Sequence, residues 1–221
     1  MFPHVITFSQ LRSTSLEQAG DTLRLLMSSA TSESSRQVAA SLSRTPVIGV
    51  VRTASTEEAR RQANGFASGG LELVEITFTV PAATDLVREL LASRAASGQT
   101  LPWIGMGTVT TPERARAAID AGAEFLVTPN VHAEVARIAR AAGRFLVLGA
   151  LTPTEIVTAA ELGADVIKVY PLPPVGGATY LATVRQPLGD LPMLAAGGFG
   201  IEEIPAYARA GAIAFGIGGP L

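Results

Sequence analysis

The 221-residue chain contains no cysteine, so neither disulfides nor thiolate chemistry is open to it. Its two histidines, His4 and His132, lie far apart in sequence and argue against a histidine-based metal site. An oxygen-ligated Mg²⁺ stays open, but nothing points to one. Aromatics are 5% of the residues, and the formal charge of −2 comes without a basic stripe, so nucleic acid is a poor partner and anionic small molecules stay open. No apolar run approaches the roughly 18 residues that span a bilayer. The start "MFPHVITFSQLRSTSLEQ" lacks the basic end and apolar stretch of a signal peptide, and the chain reads as cytoplasmic with no membrane partner. The scarcest charged side chain is lysine. Of 17 lysines and arginines, only Lys168, in "ADVIKVYPLP" (164–173), is a lysine.

What the chain does have is 48% hydrophobic residues and a positive mean hydropathy, enough for one sizeable core. From Pro46 onward, short β-branched runs alternate with longer Ala/Glu/Arg-rich stretches. The runs are "VIGVV" (47–51), "ELVEITF" (72–78), "WIGMG" (103–107), "EFLVT" (124–128), "FLVLG" (145–149), "DVIKV" (165–169), "PMLAA" (192–196) and "AIAFGI" (212–217). Helices are expected between them near 55–68, 81–95, 111–121, 131–142, 153–162, 177–188 and 201–210, several opened by Ser, Thr or Pro, as in "STEE", "TPER" and "TPTE". "DAGAEF", "AAGRF", "ELGADV" and "RAGAIAF" repeat one device, a helix that ends at glycine with a strand close behind. The unit is a βα repeat of roughly 20–25 residues.

Eight such units most simply close into an α/β fold of the (β/α)8 TIM-barrel type. An open doubly wound sheet is the alternative, disfavoured because "GVVRTASTEEA" rather than a GxGxxG follows the first strand. Residues 1–45 read as an N-terminal helical extension and 46–221 as the barrel, with no eighth outer helix after the last strand. A helix over about 15–29 carries Leu16, Ala19, Leu23 and Leu26 on one face, and it is expected to cover the flank between the last and first strands.

In a barrel the C-terminal strand ends face the active-site mouth. Arg52, Glu75, Thr108 and Lys168 are the polar residues that such a search returns. Strand alternation puts Leu73, Glu75 and Thr77 on one face, and Val166, Lys168 and Tyr170 on another that shares the interior. Two readings follow. A buried Lys–Glu ion pair would be purely structural, although arginine is the more usual choice for that role. Alternatively, desolvation lowers a lysine from its ordinary pKa of about 10.4 and leaves an amine able to attack a carbonyl. The stretches "AAGGFGIEE" and "FGIGGPL" follow the last two strands, where barrels often hold phosphate on backbone N–H groups, though glycine also serves ordinary turns. "VTPNVH" (127–132) is either a plain turn or a wall that brings Pro129 to the substrate.

With "VEITFTVPAA", "GMGTVTTPE", "FLVTPNVHAEV", "DVIKVYPLPPVGG" and "AAGGFGIEEI" in order and spacing, the chain resembles the 2-keto-3-deoxy-6-phosphogluconate/4-hydroxy-2-oxoglutarate aldolase family, including its 6-phosphogalactonate branch, over roughly residues 46 to 221. The resemblance implies a class I aldolase, usually a homotrimer, that cleaves a 2-keto-4-hydroxy acid to pyruvate and an aldehyde with no metal or other cofactor. It assigns Lys168 as the Schiff-base lysine and Glu75 as the general acid/base. Arg52 and Thr108 fall around the pyruvate carboxylate, Pro129 lines the pocket, and Gly197, Gly198, Gly218 and Gly219 fall in the phosphate loops. Two positions depart from the family pattern. Ala196 stands where the phosphogluconate enzymes commonly have threonine, and Gly219 where a phosphate-binding serine is typical. A non-catalytic sugar-phosphate-binding barrel would not need Lys168, and a barrel isomerase or epimerase would need acid/base groups but no imine.

Overall fold

The short apolar runs pair side by side and in one direction, because each is returned to the same end of the sheet by a helix. The computed structural model describes residues 32–218. Its strands are β1 (Val47–Val51), β2 (Leu73–Thr77), β3 (Trp103–Gly107), β4 (Phe125–Val127), β5 (Phe145–Ala150), β6 (Val166–Val169), β7 (Met193–Ala196) and β8 (Ala214–Gly218), which form a closed parallel barrel in sequence order. The helices are α1 (Glu33–Arg44), α2 (Thr56–Ser68), α3 (Ala83–Ala96), α4 (Pro112–Asp120), α5 (Ala133–Ala141), α6 (Pro153–Glu161), α7 (Gly177–Leu188) and α8 (Ile204–Arg209). The expected (β/α)8 architecture is therefore present, with boundaries shifted by a residue or two at most of the element ends.

Local chemistry sets those boundaries. Ser55, Thr111 and Thr152 cap α2, α4 and α6 by accepting the N–H three residues on, and Glu155 completes a capping box at α6. Gly122 and Gly163 take positive φ as the chain turns from α4 and α6 toward the next strand. The last helical stretch is shorter than expected over 201–210. A 3₁₀ turn (Ile201–Glu203) precedes α8, whose first turn contains Pro205, a residue with no N–H to offer a continuous ladder.

The barrel interior changes character along its axis. Its lower part is filled by Ile48, Leu73, Phe125, Phe145, Val147 and Val166, all buried. Toward the C-terminal ends the inward positions are small: Gly107, Gly149, Ala196, Gly216 and Gly218. The large residues make a plug, and above it the small ones admit the Glu75 carboxylate beside Gly107 and the Pro129 backbone beside Gly149. Helix α1 closes the opposite end. Val38, Ala39 and Leu42 bury against the interior cluster, and Ser32 and Ser35 hydroxyls donate to the Gly143 carbonyl at 2.6 and 3.0 Å. The Trp103 indole N–H donates to Ser41 Oγ at 2.9 Å, and Arg44 pairs with Glu72 at 2.6 Å. The proposed flank helix near 15–29 lies outside the described residues.

Acidic residues just before β4 and β6 tie the lower rim together. Glu124 accepts the Ile104 N–H at 2.8 Å and forms a two-pronged pair with Arg94, while Asp165 accepts the Leu146 N–H at 2.7 Å and pairs with Arg140. Lys168, Arg52 and Arg114, at the other end, belong to none of the ion pairs among the described residues.

Candidate active site

Alternation along β2 buries every residue from Leu73 to Thr77 and aims Glu75 into the barrel. On β3, Gly105 is its paired neighbour, and Gly107 lies so close that a β-carbon there would meet the Glu75 carboxylate. Glu75 Oε1 is buried without a hydrogen-bond partner. Burial pushes the Glu75 carboxyl above its ordinary value, and the positive charges of Lys168 and Arg52 oppose that shift without cancelling it. A carboxylic acid so placed can hold a proton and release it again.

Lys168 projects from β6, 8% exposed, between Gly149 of β5 and Leu194 of β7. Its Nζ lies 5.1 Å from the centroid of the Tyr170 ring. The two parities expected from sequence bring Lys168 and Glu75 together inside the barrel, near enough for the charge of one to act on the other. The structural ion pair left open by the sequence is not formed among the described residues, and an amine free of a carboxylate partner is available to a ligand.

Arg52 follows β1 at the exposed mouth, and its Nη2 donates to Thr108 Oγ1 at 3.4 Å. Thr108 is half-buried and has φ +59°, unusual for a β-branched residue. Pro129 is held by its neighbour. The buried Thr128 hydroxyl donates to Asn130 O at 2.6 Å and accepts the Gly149 N–H at 2.9 Å, which seats the Pro129 backbone against Gly149, the β5 partner of Lys168.

Gly197 and Gly198 follow β7, and Gly218 ends β8. Gly197 is packed against the backbone of Pro171 and Leu172, whereas a β-carbon at Gly198 would meet nothing within 4 Å. The N–H of Gly200, farther along this loop, is taken by the Glu203 carboxylate at 2.9 Å. Ala196 is buried on the inner face, and Gly219 lies outside the described residues. Among the described residues no three His, Asp or Glu side chains are grouped so as to hold a metal ion.

Sequence reasoning missed two residues at this mouth. Tyr170 shares the parity of Lys168, but parity alone gives it no role. Arg114, on α4, donates to the Thr108 carbonyl at 3.1 Å and to Thr110 Oγ1 at 2.8 Å. Its signal was an arginine in the first turn of a helix, where acidic residues are the usual choice.

Comparison with known proteins bears on the family of the chain. A family model described as "Aldolase: KDPG and KHG aldolase" matches residues 38–221, beginning within α1. The 2-dehydro-3-deoxy-6-phosphogalactonate aldolase of Escherichia coli (strain K12) is 31% identical over 177 residues, covering 80% of this chain and 84% of that one. The 2-dehydro-3-deoxy-phosphogluconate aldolase of Haemophilus influenzae is 28% identical over 176 residues, covering 80% and 81%. A solved native KDPGal structure superposes with a TM-score of 0.72 at 30% identity, covering 79% of this chain and 83% of the other.

Proposed function

The chain belongs to the KDPG and KHG aldolase family, and from that membership we propose that it cleaves a 2-keto-3-deoxy-6-phospho-sugar acid or 4-hydroxy-2-oxoglutarate through an imine on Lys168. The products are pyruvate and an aldehyde, glyceraldehyde 3-phosphate or glyoxylate. The working form is a homotrimer in the cytoplasm. The observation that carries the reading is that an amine belonging to no ion pair among the described residues lies near a buried carboxyl of raised pKa inside the barrel.

Arg52 and Thr108 receive the substrate carboxylate, which directs the C2 ketone toward Lys168. The Lys168 amine attacks C2, and Glu75 moves the proton that converts the tetrahedral adduct's hydroxyl to departing water. The resulting protonated imine is an electron sink. Glu75, through a water, then takes the C4 hydroxyl proton; the C3–C4 electron pair passes into the C2–C3 bond, and the aldehyde leaves. Protonation of the enamine at C3 and addition of water free pyruvate and restore the amine. Pro129 lines the pocket, and the glycine loop after β7 together with Gly218 at the end of β8 offers the end where a phosphate or a short acid group would sit.

The experiment is borohydride reduction in the presence of pyruvate, read by intact mass. One adduct mapped to Lys168, and none in Lys168→Arg, supports the reading. Persistence of cleavage in Lys168→Arg refutes it, and a binding barrel or an acid/base isomerase gives no adduct at all.

A further inference from the structure

We infer that Arg114 is a positioning residue for the substrate carboxylate, acting through Thr108. The inference rests on the aldolase reading above, in which Thr108 and Arg52 meet that carboxylate.

Arg114 is the third residue of α4, and its backbone N–H is bound by the capping hydroxyl of Thr111 at 3.3 Å. This is the place where a Glu or Gln reaches back to close a capping box, as Glu155 does at α6. A cation there opposes the positive end of the helix dipole. Arg114 therefore runs against local preference, and no ion pair among the described residues compensates it. Its guanidinium turns toward the mouth instead. Nη1 donates both to the Thr108 carbonyl and to Thr110 Oγ1, and the guanidinium carbon lies 5.3 Å from the centroid of the Phe78 ring, just beyond β2. The planar guanidinium is thus fixed by two acceptors and an aromatic face.

The residue it grips is the one that needs holding. Thr108 is β-branched, yet its φ of +59° lies in the left-handed region, which such residues enter only when their surroundings enforce it. That backbone setting fixes where Thr108 Oγ1 points, and Thr108 Oγ1 is the acceptor for Arg52 Nη2. Three elements, α4, the end of β3 and the end of β1, are thereby joined by Arg114, Thr108 and Arg52. Removal of the guanidinium leaves the amine and Glu75 untouched and loosens the carboxylate end alone.

The test is the pyruvate dependence of borohydride trapping. In Arg114→Gln the half-saturating pyruvate concentration should rise about tenfold, equivalent to about 1.4 kcal/mol, with a much smaller change in the trapping rate at saturation. In a Thr108→Gly background, where left-handed backbone carries no penalty, the same Arg114→Gln change should add little. Arg114→Lys, which keeps the charge and one donor, should give an intermediate shift and serves as the comparison if Arg114→Gln does not fold. A purely structural role would lower the melting temperature and leave half-saturation unmoved, and that result overturns the inference. So does an equal shift in the Thr108→Gly background. Absence of any adduct in the unmodified protein sinks the aldolase reading and this inference with it, whereas a normal adduct with unshifted half-saturation sinks this inference alone.

Discussion

Gly107 and Glu75 form a matched pair across β2 and β3, because a β-carbon at position 107 would take the space that the Glu75 carboxylate fills. The missing side chain is what lets a carboxyl sit inside the barrel, and the same packing strips it of water and raises its pKa.

Replacing Glu75 by Gln should lower kcat by about 10²–10⁴-fold, the usual range for general acid/base catalysis. The same change should make the protein more stable at neutral pH. With the folded-state pKa raised above the unfolded value, the folded protein holds the proton more tightly, so this group's contribution to stability declines as pH rises from the ordinary carboxylate value through the raised one. Glutamine has no such titration. Denaturant titrations across pH should show the Gln variant ahead at neutral pH and the gap closing in acid. A Gln variant less stable than the parent at neutral pH would contradict the burial argument.

Leu42→Ala tests the separation of floor from mouth. Leu42 is fully buried on α1 against the lower interior, so truncation should cost about 2–5 kcal/mol in urea unfolding. The half-saturating pyruvate concentration for trapping should stay where it is. A shift in trapping comparable to that of a mouth variant would mean that the plug transmits α1 packing to Lys168.

Much of this architecture is legible in the sequence because it depends on periodicity. Alternation through "VEITF" and "VIKVY" suffices to aim Glu75 and Lys168 inward, and the cap and glycine signals locate the helices between strands. What periodicity does not carry is contact between distant segments. That α1 lies across the floor depends on Ser32 and Ser35 meeting Gly143, more than 100 residues away. The lack of an ion pair between Lys168 and Glu75 is a matter of distance between side chains on strands far apart in the sequence. The left-handed Thr108 was invisible for a different reason: nothing local favours it, and the Arg114 contacts that accompany it are made by a side chain from the next helix.

A test at Ala196 asks how much a substrate phosphate contributes. This alanine is buried on the inner face of β7, directly before the Gly197–Gly198 loop, and offers a methyl group at the position where the family resemblance leads one to expect a threonine hydroxyl. Glu203 also occupies the Gly200 N–H, so fewer donors point into this end. A hydrogen bond to a charged group is worth about 1.5–3 kcal/mol, and Ala196→Thr should therefore raise kcat/KM for a phosphorylated substrate roughly ten- to a hundredfold. The value for 4-hydroxy-2-oxoglutarate should change little, since it has no phosphate to receive the bond. Gluconate- and galactonate-type phosphorylated substrates should be compared side by side, because a methyl at position 196 is expected to favour the galactonate-type C4 configuration or a shorter unphosphorylated acid. Gly219→Ser, restoring the second hydroxyl, should act in the same direction. A strong preference of the unmodified enzyme for the phosphogluconate substrate, unchanged by either substitution, would show that backbone N–H groups alone bind the phosphate and that the departures at 196 and 219 do not set specificity.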